Sequence, residues 1–351
     1  MRVIIKKIII LCLSLLLSAQ IVWGERTAPR EEKEVIPEML CLGHTLMGIE
    51  FAIMGGMASI IKGGIGIPTT TMDAHKTVLL NLMREGRVHI SSATVPERYE
   101  AYYGTGVFAG KGPVPLRAMF LFSDGGFNWV TMANSGIKSI ADLKGKRIIT
   151  VGTSVVTKYV AELYFSEYGF SSKDVKWIDC PTSKTLFINL GDGIGDVVVF
   201  PSVPPAPTFS EPDFRYNLRW ISTPEEAIDR MIDRGIPGLT KGYREPGHYR
   251  GDPNGSYYVG VSNVATCRSS LPEDLVYKIC KMVWDTKNEE VKGFHPALKR
   301  FLRLDQTLNT KVLGACPFHS GAIKYYKEIG AWTSEFEALN KKLLADMGYK
   351  K

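Results

Sequence analysis

The segment Asp142–Ser154 constrains the fold more than any other, because it predicts a strand, a tight turn and the start of a helix in succession. Ile148, Ile149 and Val151 indicate a buried strand, and Gly152-Thr153-Ser154 is a turn of small residues before a helical pattern. The first N–H groups of a helix lack partners within the helix, and the helix dipole adds positive potential there. The turn can therefore bind an anion such as a carboxylate, although an ordinary βα turn with hydroxyl caps explains the same residues.

The first 24 residues carry the pattern of a secretory signal peptide. Arg2, Lys6 and Lys7 precede the apolar run Ile8–Leu17, and small residues lead to a cleavage position after Gly24. An uncleaved membrane anchor is the alternative, but the run is short for a span, which needs about 20 residues. The sequence therefore predicts export to the periplasm, with a mature chain that begins at residue 25.

The charge balance gives no support for nucleic-acid binding. The whole chain carries a formal charge of +7, and loss of the predicted signal peptide lowers it to +4 because three basic and no acidic residues are removed. The remaining basic residues are scattered along the sequence, whereas nucleic-acid-binding surfaces concentrate them. No later stretch approaches 18 uninterrupted apolar residues, so the sequence predicts a soluble mature chain.

Neither the cysteines nor the histidines predict a metal site. Five cysteines follow the predicted signal peptide, without a C-x-x-C motif or zinc spacing, and the six histidines lack the spacings of zinc enzymes. We expect most of the cysteines to be small buried side chains, although export allows two of them to form a disulfide that the sequence does not identify. The prediction is a chain without a metal or cofactor.

No sequence motif indicates an enzyme. The chain contains no nucleophile elbow, no Walker motif and no dinucleotide-binding fingerprint. A hydrolase with two catalytic carboxylates needs no motif of fixed spacing, but no pair of acids stands out. His319, which precedes a predicted helix, is interpreted as a residue that hydrogen-bonds in a turn. Binding is therefore favoured over catalysis.

Strand and helix patterns alternate along the chain, which predicts an α/β fold. Strand patterns at Leu116–Phe122 and Asn128–Ala133 flank Gly125-Gly126, which we interpret as a turn, and one of these strands is expected to enter a second lobe. Tyr257–Val264 is the predicted return crossing. These crossings predict a discontinuous first lobe of residues 37–132 and 262–351 and a second lobe of residues 133–261. The charged, proline-bearing residues 25–36 predict a flexible leader before the first lobe.

Several segments resemble the TAXI family of solute-binding proteins, the receptors of tripartite ATP-independent periplasmic (TRAP) transporters. Leu271–Lys278, His295-Pro296 and Pro317–Gly330 follow the family pattern closely. Ala101–Gly106 also fits, whereas Asp142–Arg147 occurs in many other binding proteins and is weaker by itself. Together these segments extend the resemblance over nearly the whole mature chain.

The resemblance implies a two-lobed, type II-like periplasmic-binding-protein fold with a hinge and an interlobe cleft. It also implies a receptor that captures a small organic acid or amino acid, closes on it and delivers it to a membrane permease. The turns that correspond to those of the family predict the ligand-binding residues His44, Thr45, Thr70 and Thr94 in the first lobe, and Thr153, Ser154, Thr157 and Ser202 in the second.

Residues at the predicted cleft depart from the family pattern. The first turn, usually Gly-Thr-x-x-Gly-Gly before two aromatic residues, is Gly43–Phe51 here, with Glu50 at an aromatic position. We interpret Glu50 as a solvated residue of a helix face, with attraction of an amine-bearing ligand as the alternative. Lys76 and Lys158 are interpreted as surface lysines, with pairing to a ligand carboxylate as the alternative.

These departures keep the ligand and the function open. Glutamate, a ligand of the family, is not assigned to this chain. An orphan sensory or scaffold protein on the same fold is the alternative function, and an exported enzyme is a third.

Overall fold

The computed structural model describes residues 33–45, 49–151, 155–309 and 314–346. The predicted signal peptide, most of the predicted leader, and the site candidates Thr153 and Ser154 lie outside these residues. Within the described ranges, no helix has the length and apolar character needed to span a bilayer.

Ten strands form a single sheet in the described part of the chain. They are β1 (Leu40–His44), β2 (Thr69–Asp73), β3 (Ile90–Thr94), β4 (Leu116–Met132), β5 (Arg147–Val151), β6 (Lys176–Cys180), β7 (Val197–Ser202), β8 (Leu218–Trp220), β9 (Leu239–Arg244) and β10 (Ser256–Arg268). The order along the sheet is β2-β1-β3-β10-β4-β7-β5-β6, with β8 paired to β4 and β9 paired to β10. β1 to β3 are parallel, as are β5 to β7, whereas β4 and β10 are antiparallel to each neighbour.

Helices connect the parallel strands, because a parallel pair needs a long crossover. The α-helices of the described residues are α1 (Ile49–Ile65), α2 (Lys76–Arg84), α3 (Val95–Tyr103), α4 (Val155–Glu167), α5 (Leu186–Gly191), α6 (Pro207–Arg215), α7 (Glu225–Arg234), α8 (Glu273–Lys281), α9 (Asn288–Gly293), α10 (Pro296–Phe301), α11 (Leu304–Thr307), α12 (Ser320–Glu328) and α13 (Ser334–Asp346). Of these, α1, α2, α4 and α5 connect parallel strands. The predicted turn role of His319 is confirmed, because its Nδ1 accepts a hydrogen bond from the Gly321 N–H at the start of α12.

Strands β4 and β10 connect the two halves of the sheet. Residues 116–124 of β4 pair with residues 262–268 of β10, beside β3. Further along, β4 pairs with β7 and β8, while residues 256–261 of β10 pair with β9. The chain thus enters the second half through β4 and returns through β10, which confirms the predicted return crossing.

The predicted turn at Gly125-Gly126 is wrong, because the two strand patterns around it form one continuous strand. Neither glycine has a positive φ. A Cβ at Gly126 would lie 2.1 Å from the ring of Tyr258, and a Cβ at Gly242 would lie equally close to the same ring. Gly126 therefore permits the close approach of a side chain across the sheet and does not reverse the chain.

The buried apolar residues form separate clusters on the two sides of the crossing. One cluster takes its residues from 40–122 and 264–336, in the half that contains β1 to β3. Two further clusters lie within 127–261, around Trp129 and Phe209, in the half that contains β5 to β9. We call these halves lobe 1 and lobe 2. Each lobe has its own core, and the predicted two-lobed α/β fold is confirmed, whereas the exact lobe boundaries stay a prediction.

Candidate functional site

The carboxyl ends of β1 and β3 meet the crossing strands at one edge of lobe 1. His44 is the last residue of β1, and Thr94 is the last residue of β3. The register pairs Asn263 of β10 with Thr94 and also with Ser123 of β4. Ligands of α/β sheets bind in the crevice outside the carboxyl ends of parallel strands. This edge is therefore the candidate site of lobe 1.

The Glu50 carboxylate lies at this edge and accepts hydrogen bonds from three directions. Its Oε2 is 2.6 Å from Lys76 Nζ and 3.0 Å from Thr45 Oγ1, and its Oε1 is 2.6 Å from Asn263 Nδ2. Lys76 Nζ also donates to Ser92 Oγ at 2.6 Å. We call these five residues the Glu50 cluster. It joins β10 to α1, α2 and β3, so it connects a crossing strand to the carboxyl ends of the parallel strands.

Local structure and charge explain why this acid is ionised although it is buried. Burial acts to raise the pKa of Glu50, but the Lys76 ammonium and the three hydrogen bonds outweigh it and hold the pKa below its ordinary value. Glu50 lies in the first turn of α1, where the helix dipole favours a negative charge. Lys76 begins α2, where the dipole disfavours a positive charge. The ion pair compensates for that position.

The interpretations of Glu50 as a solvated residue and of Lys76 as a surface lysine are therefore wrong. Glu50 is 8% exposed and Lys76 is 5% exposed, so neither is a solvated surface residue. The sequence could not show this, because each charge is neutralised by a residue that lies 26 positions away. The alternatives, in which Glu50 attracts an amine of the ligand or Lys76 attracts a carboxylate of the ligand, stay predictions. Either contact would have to compete with the ion pair that the two groups form with each other. Lys158, in contrast, is exposed as interpreted.

The three candidates near the ends of β1 and β3 lie at this edge of lobe 1. His44 is buried, its Nδ1 donates to the Thr45 carbonyl oxygen at 3.1 Å, and its ring packs edge-on against Phe51. The Thr45 hydroxyl donates to Glu50. The Thr94 hydroxyl donates to Glu97 Oε2 at 2.7 Å and caps α3. The hydroxyl protons of both threonines are thus engaged within the protein.

Thr70 and Thr157 occupy different environments. Thr70 is the second residue of β2 and pairs with Cys41, so it lies about 10 Å before the carboxyl end of its strand. The structure does not bring it to the edge that His44 and Thr94 share. Thr157 lies in the first turn of α4 and is 1% exposed. As a ligand contact each of them stays a prediction.

Ser202 ends β7 and pairs with Gly126 of β4, directly beside the crossing. Its Oγ accepts a hydrogen bond from Asn128 Nδ2 at 3.0 Å, so its position is fixed by a crossing strand. Ser202 is half-buried. The carboxyl end of β7 therefore contributes a polar side chain on the lobe 2 side of the crossing.

A second charged cluster is buried within lobe 2. Arg244 donates through Nε to Asp252, through Nη1 to Asn128 Oδ1 at 2.6 Å, and through Nη2 to the Ser256 hydroxyl. Its guanidinium carbon lies 5.7 Å from the centre of the Trp220 ring, within range of a cation–π interaction. We call these residues the Arg244 cluster. Arg244 thereby fixes Asn128, the β4 residue that hydrogen-bonds to Ser202.

Asp124 lies on β4 at the crossing itself, paired with Ser262 of β10. Both of its carboxylate oxygens accept from the Thr240 hydroxyl, at 2.8 and 3.0 Å. Burial raises the pKa of Asp124 to about 6, against smaller opposing effects of Thr240 and Arg300. The crossing therefore contains a carboxyl group that titrates close to neutral pH.

A cavity of about 400 Å³ separates α3 of lobe 1 from α4 and the end of α7 in lobe 2. Its lining includes Pro96, Tyr99 and Glu100 on one side and Tyr159 and Ile236 on the other. This volume lies within the range of small-molecule sites. The two lobes thus enclose a space of suitable size between helices that begin at the carboxyl ends of β3 and β5.

Sequence inspection missed several residues of these clusters. Asn263 of the Glu50 cluster and its neighbour Ser262 interrupt the apolar pattern of Tyr257–Val264, and this interruption is the available signal. Asn128 and Arg244 had no such signal, because their partners are as many as 116 residues away. Tertiary pairing alone identifies them.

Comparison with known families places the chain. The family model described as the NMT1-like family matches residues 48–330, well over half of the sequence. The chain belongs to the NMT1-like family. The match includes the Glu50 cluster apart from Thr45, both crossing strands and the Arg244 cluster.

Solved structures extend the likeness at the level of the fold. The protein XAC2383 from Xanthomonas citri, bound to ATP, shares 12% identity with a TM-score of 0.52, over 89% of this chain and 98% of that chain. The periplasmic aliphatic sulphonate binding protein SsuA from Escherichia coli shares 11% identity with a TM-score of 0.46, over 89% and 87% of the two chains. An ancestral arginine-binding protein bound to arginine shares 14% identity with a TM-score of 0.47, over 73% and 97%. At 12% identity the similarity to XAC2383 concerns architecture alone and does not transfer a ligand.

Proposed function

We propose that this NMT1-like chain is an extracytoplasmic solute-binding receptor. It captures a small organic acid or amino acid between its lobes and delivers it to a membrane permease. The observation that carries the proposal is the pair of crossing strands, β4 and β10, which join two separately packed lobes and have polar side chains beside the crossing. Such a connection lets two rigid bodies close around a ligand by bending at a few residues.

We keep the predicted boundaries, residues 37–132 and 262–351 for lobe 1 and residues 133–261 for lobe 2, although the last part of β4, from residue 127, contributes to the cores of lobe 2. The proposed ligand contacts are the eight residues named from the sequence. Of these, His44, Thr94 and Ser202 have the best support, because they end β1, β3 and β7 next to the crossing. The proposal assigns no catalytic residue and no cofactor.

A thermal-shift screen tests the receptor function directly. The mature protein is unfolded, freed of copurified small molecules, refolded and screened against organic acids and amino acids. A ligand present at about 100 times its Kd stabilises the native state by about 2.7 kcal/mol, so we expect a rise in Tm of several degrees. Calorimetric titration then gives the stoichiometry. A complete screen without a stabilising compound contradicts the proposal.

We further propose that the permease is of the TRAP type, on the basis of the resemblance to the TAXI family. Vesicles that contain a candidate TRAP permease from the same organism are mixed with the identified ligand and with this protein on the outside. We expect uptake that follows an imposed ion gradient and needs no ATP. Uptake that needs ATP hydrolysis contradicts this part of the proposal and leaves the receptor function intact.

A sensory or scaffold protein on the same fold is the second candidate. The Glu50 cluster favours it, because Glu50 and Lys76 neutralise each other, so neither charge is free to pair with a charged ligand. Capture of a defined sensor protein by the ligand-free chain, together with a negative metabolite screen, would select this function.

A further inference from the structure

The hydrogen bonds to the Glu50 carboxylate resemble those that a binding site makes to the carboxylate of a ligand. Its three donors belong to different parts of the chain: Thr45 follows β1, Lys76 begins α2 and Asn263 lies on β10. One is an ammonium, one an amide and one a hydroxyl, a combination suited to an ionised carboxylate. The group lies outside the carboxyl ends of parallel strands, where α/β folds bind ligands.

The positive charge of the Glu50 cluster, on Lys76, is already paired with Glu50 and is not free to bind a ligand carboxylate. Among the described residues Lys76 makes one ion pair, with Glu50, and its remaining observed hydrogen bond goes to the buried Ser92. A second carboxylate placed here would meet the like charge of Glu50 and find the donors occupied. The side chains of Glu50 and Lys76 are 11% and 6% exposed, so the cluster is buried but not sealed.

We propose that Glu50 is a specificity-determining residue whose carboxylate occupies the anion-binding position of lobe 1. A ligand consequently presents a neutral or cationic hydrogen-bonding group to this side of the cleft and directs its own carboxylate elsewhere. The inference rests on the proposed function, because it states which group of the ligand lobe 1 rejects. Removal of the Glu50 side chain should convert the position into a site for a free carboxylate.

Chemical rescue with acetate tests this conversion. Glu50→Ala removes the carboxylate and leaves the three donors in place. We expect sodium acetate, compared with sodium chloride at equal ionic strength, to raise the Tm of this variant by about 2 °C or more, with saturation. Wild type, Glu50→Gln and the double variant Glu50→Ala/Lys76→Met should not respond. Glu290→Ala, which removes an exposed acid that pairs with Lys287, is the matched control for general salt effects.

A second measurement covers the case in which Glu50→Ala does not fold. Glu50→Gln keeps the volume and one accepting oxygen but removes the charge and replaces the second oxygen with an amide donor. For a ligand from the screen and its carboxamide counterpart, we expect the ratio of the two Kd values to shift about tenfold towards the carboxylate in this variant, because one like charge has been removed.

The outcomes separate this inference from the proposed function. Saturable rescue by acetate without any ligand for the wild type supports Glu50 as the occupant of an anion-binding position and contradicts the receptor, and with it the role of Glu50 in ligand specificity. A wild-type ligand whose carboxylate preference is unchanged in Glu50→Gln, with no acetate rescue of Glu50→Ala, supports the receptor and overturns the role of Glu50.

Discussion

The Glu50 cluster of lobe 1 and the Arg244 cluster of lobe 2 are both built on buried ion pairs, but they hold their charges differently. Arg244 uses Nε, Nη1 and Nη2 on three different acceptors, and its planar group lies within 6 Å of the centres of the Trp220 and Tyr249 rings. Lys76 is a point charge on a flexible stem, and its acid partner lies beside the crossing. The comparison indicates a rigid structural support in lobe 2 and an adjustable polar position in lobe 1.

The largest effect is expected from Asp252→Ala. This variant leaves the Arg244 guanidinium buried without its acid partner, which should lower the free energy of unfolding by about 3–5 kcal/mol in urea titrations. Asp229→Ala is the matched control, because its pair with Lys241 is exposed and should contribute less than about 1 kcal/mol. Equal losses in the two variants would mean that the Arg244 cluster is not a structural support.

A double-mutant cycle on the Glu50 cluster should give a smaller effect. Glu50→Ala and Lys76→Met each leave an unpaired buried charge, and we expect losses of about 1–3 kcal/mol because the edge of the cleft can admit water. The double variant should lose less than the sum of the single losses. Additive losses in urea titrations would show that the ion pair contributes no coupling and would remove the contrast between the lobes.

The pH dependence of Asp124→Asn tests the crossing that lies between the two clusters. The pKa of Asp124 is about 6 in the folded protein, above its ordinary value of about 3.9. Folding therefore favours the protonated acid, so the cost of ionisation is absent below about pH 4, grows as the pH rises and is complete above about pH 6. We expect Asp124→Asn to be more stable than wild type at pH 7, by at most about 3 kcal/mol, with the difference shrinking towards pH 4.5. A stability difference between the variant and wild type that does not change with pH contradicts the raised pKa of Asp124.

The smallest effect is expected from reducing agents. The cysteines of the described chain are all free and buried, in both lobes: Cys41, Cys180, Cys267, Cys280 and Cys316. A structural disulfide contributes about 2–4 kcal/mol, so its absence is measurable. The Tm with and without reductant should agree within about 1 °C. A larger drop on reduction would show a disulfide in one of the lobes.

Elements with strong local signals could be predicted from the sequence. Helix α3 has Thr94 and Glu97 as a capping box at its start and Gly104 in a left-handed conformation at its end, and β5 is a compact apolar strand. Helix α6 and strands β8 and β9 were not predicted, because their sequences are short or polar and their pairing partners are distant. Local patterns are informative only where the stabilising contacts are themselves local.

The candidate site shows the same division. The resemblance to the TAXI family predicts His44, Thr94 and Ser202 as site residues, and these lie at the ends of β1, β3 and β7. The sequence does not reveal that Glu50 and Lys76 are buried, because a charged side chain is expected in water unless its partner is known.

The sequence by itself determined the α/β class, the separation into two lobes and the return crossing. Helix and strand patterns depend on the periodicity of apolar residues and on cap residues, which lie close together in the sequence. Only the tertiary structure decided that Gly126 accommodates the Tyr258 ring and that Glu50 is paired with Lys76 and Asn263. These contacts join residues 26 to 213 positions apart. Charge neutralisation and close packing depend on distances in space, which sequence separation does not report.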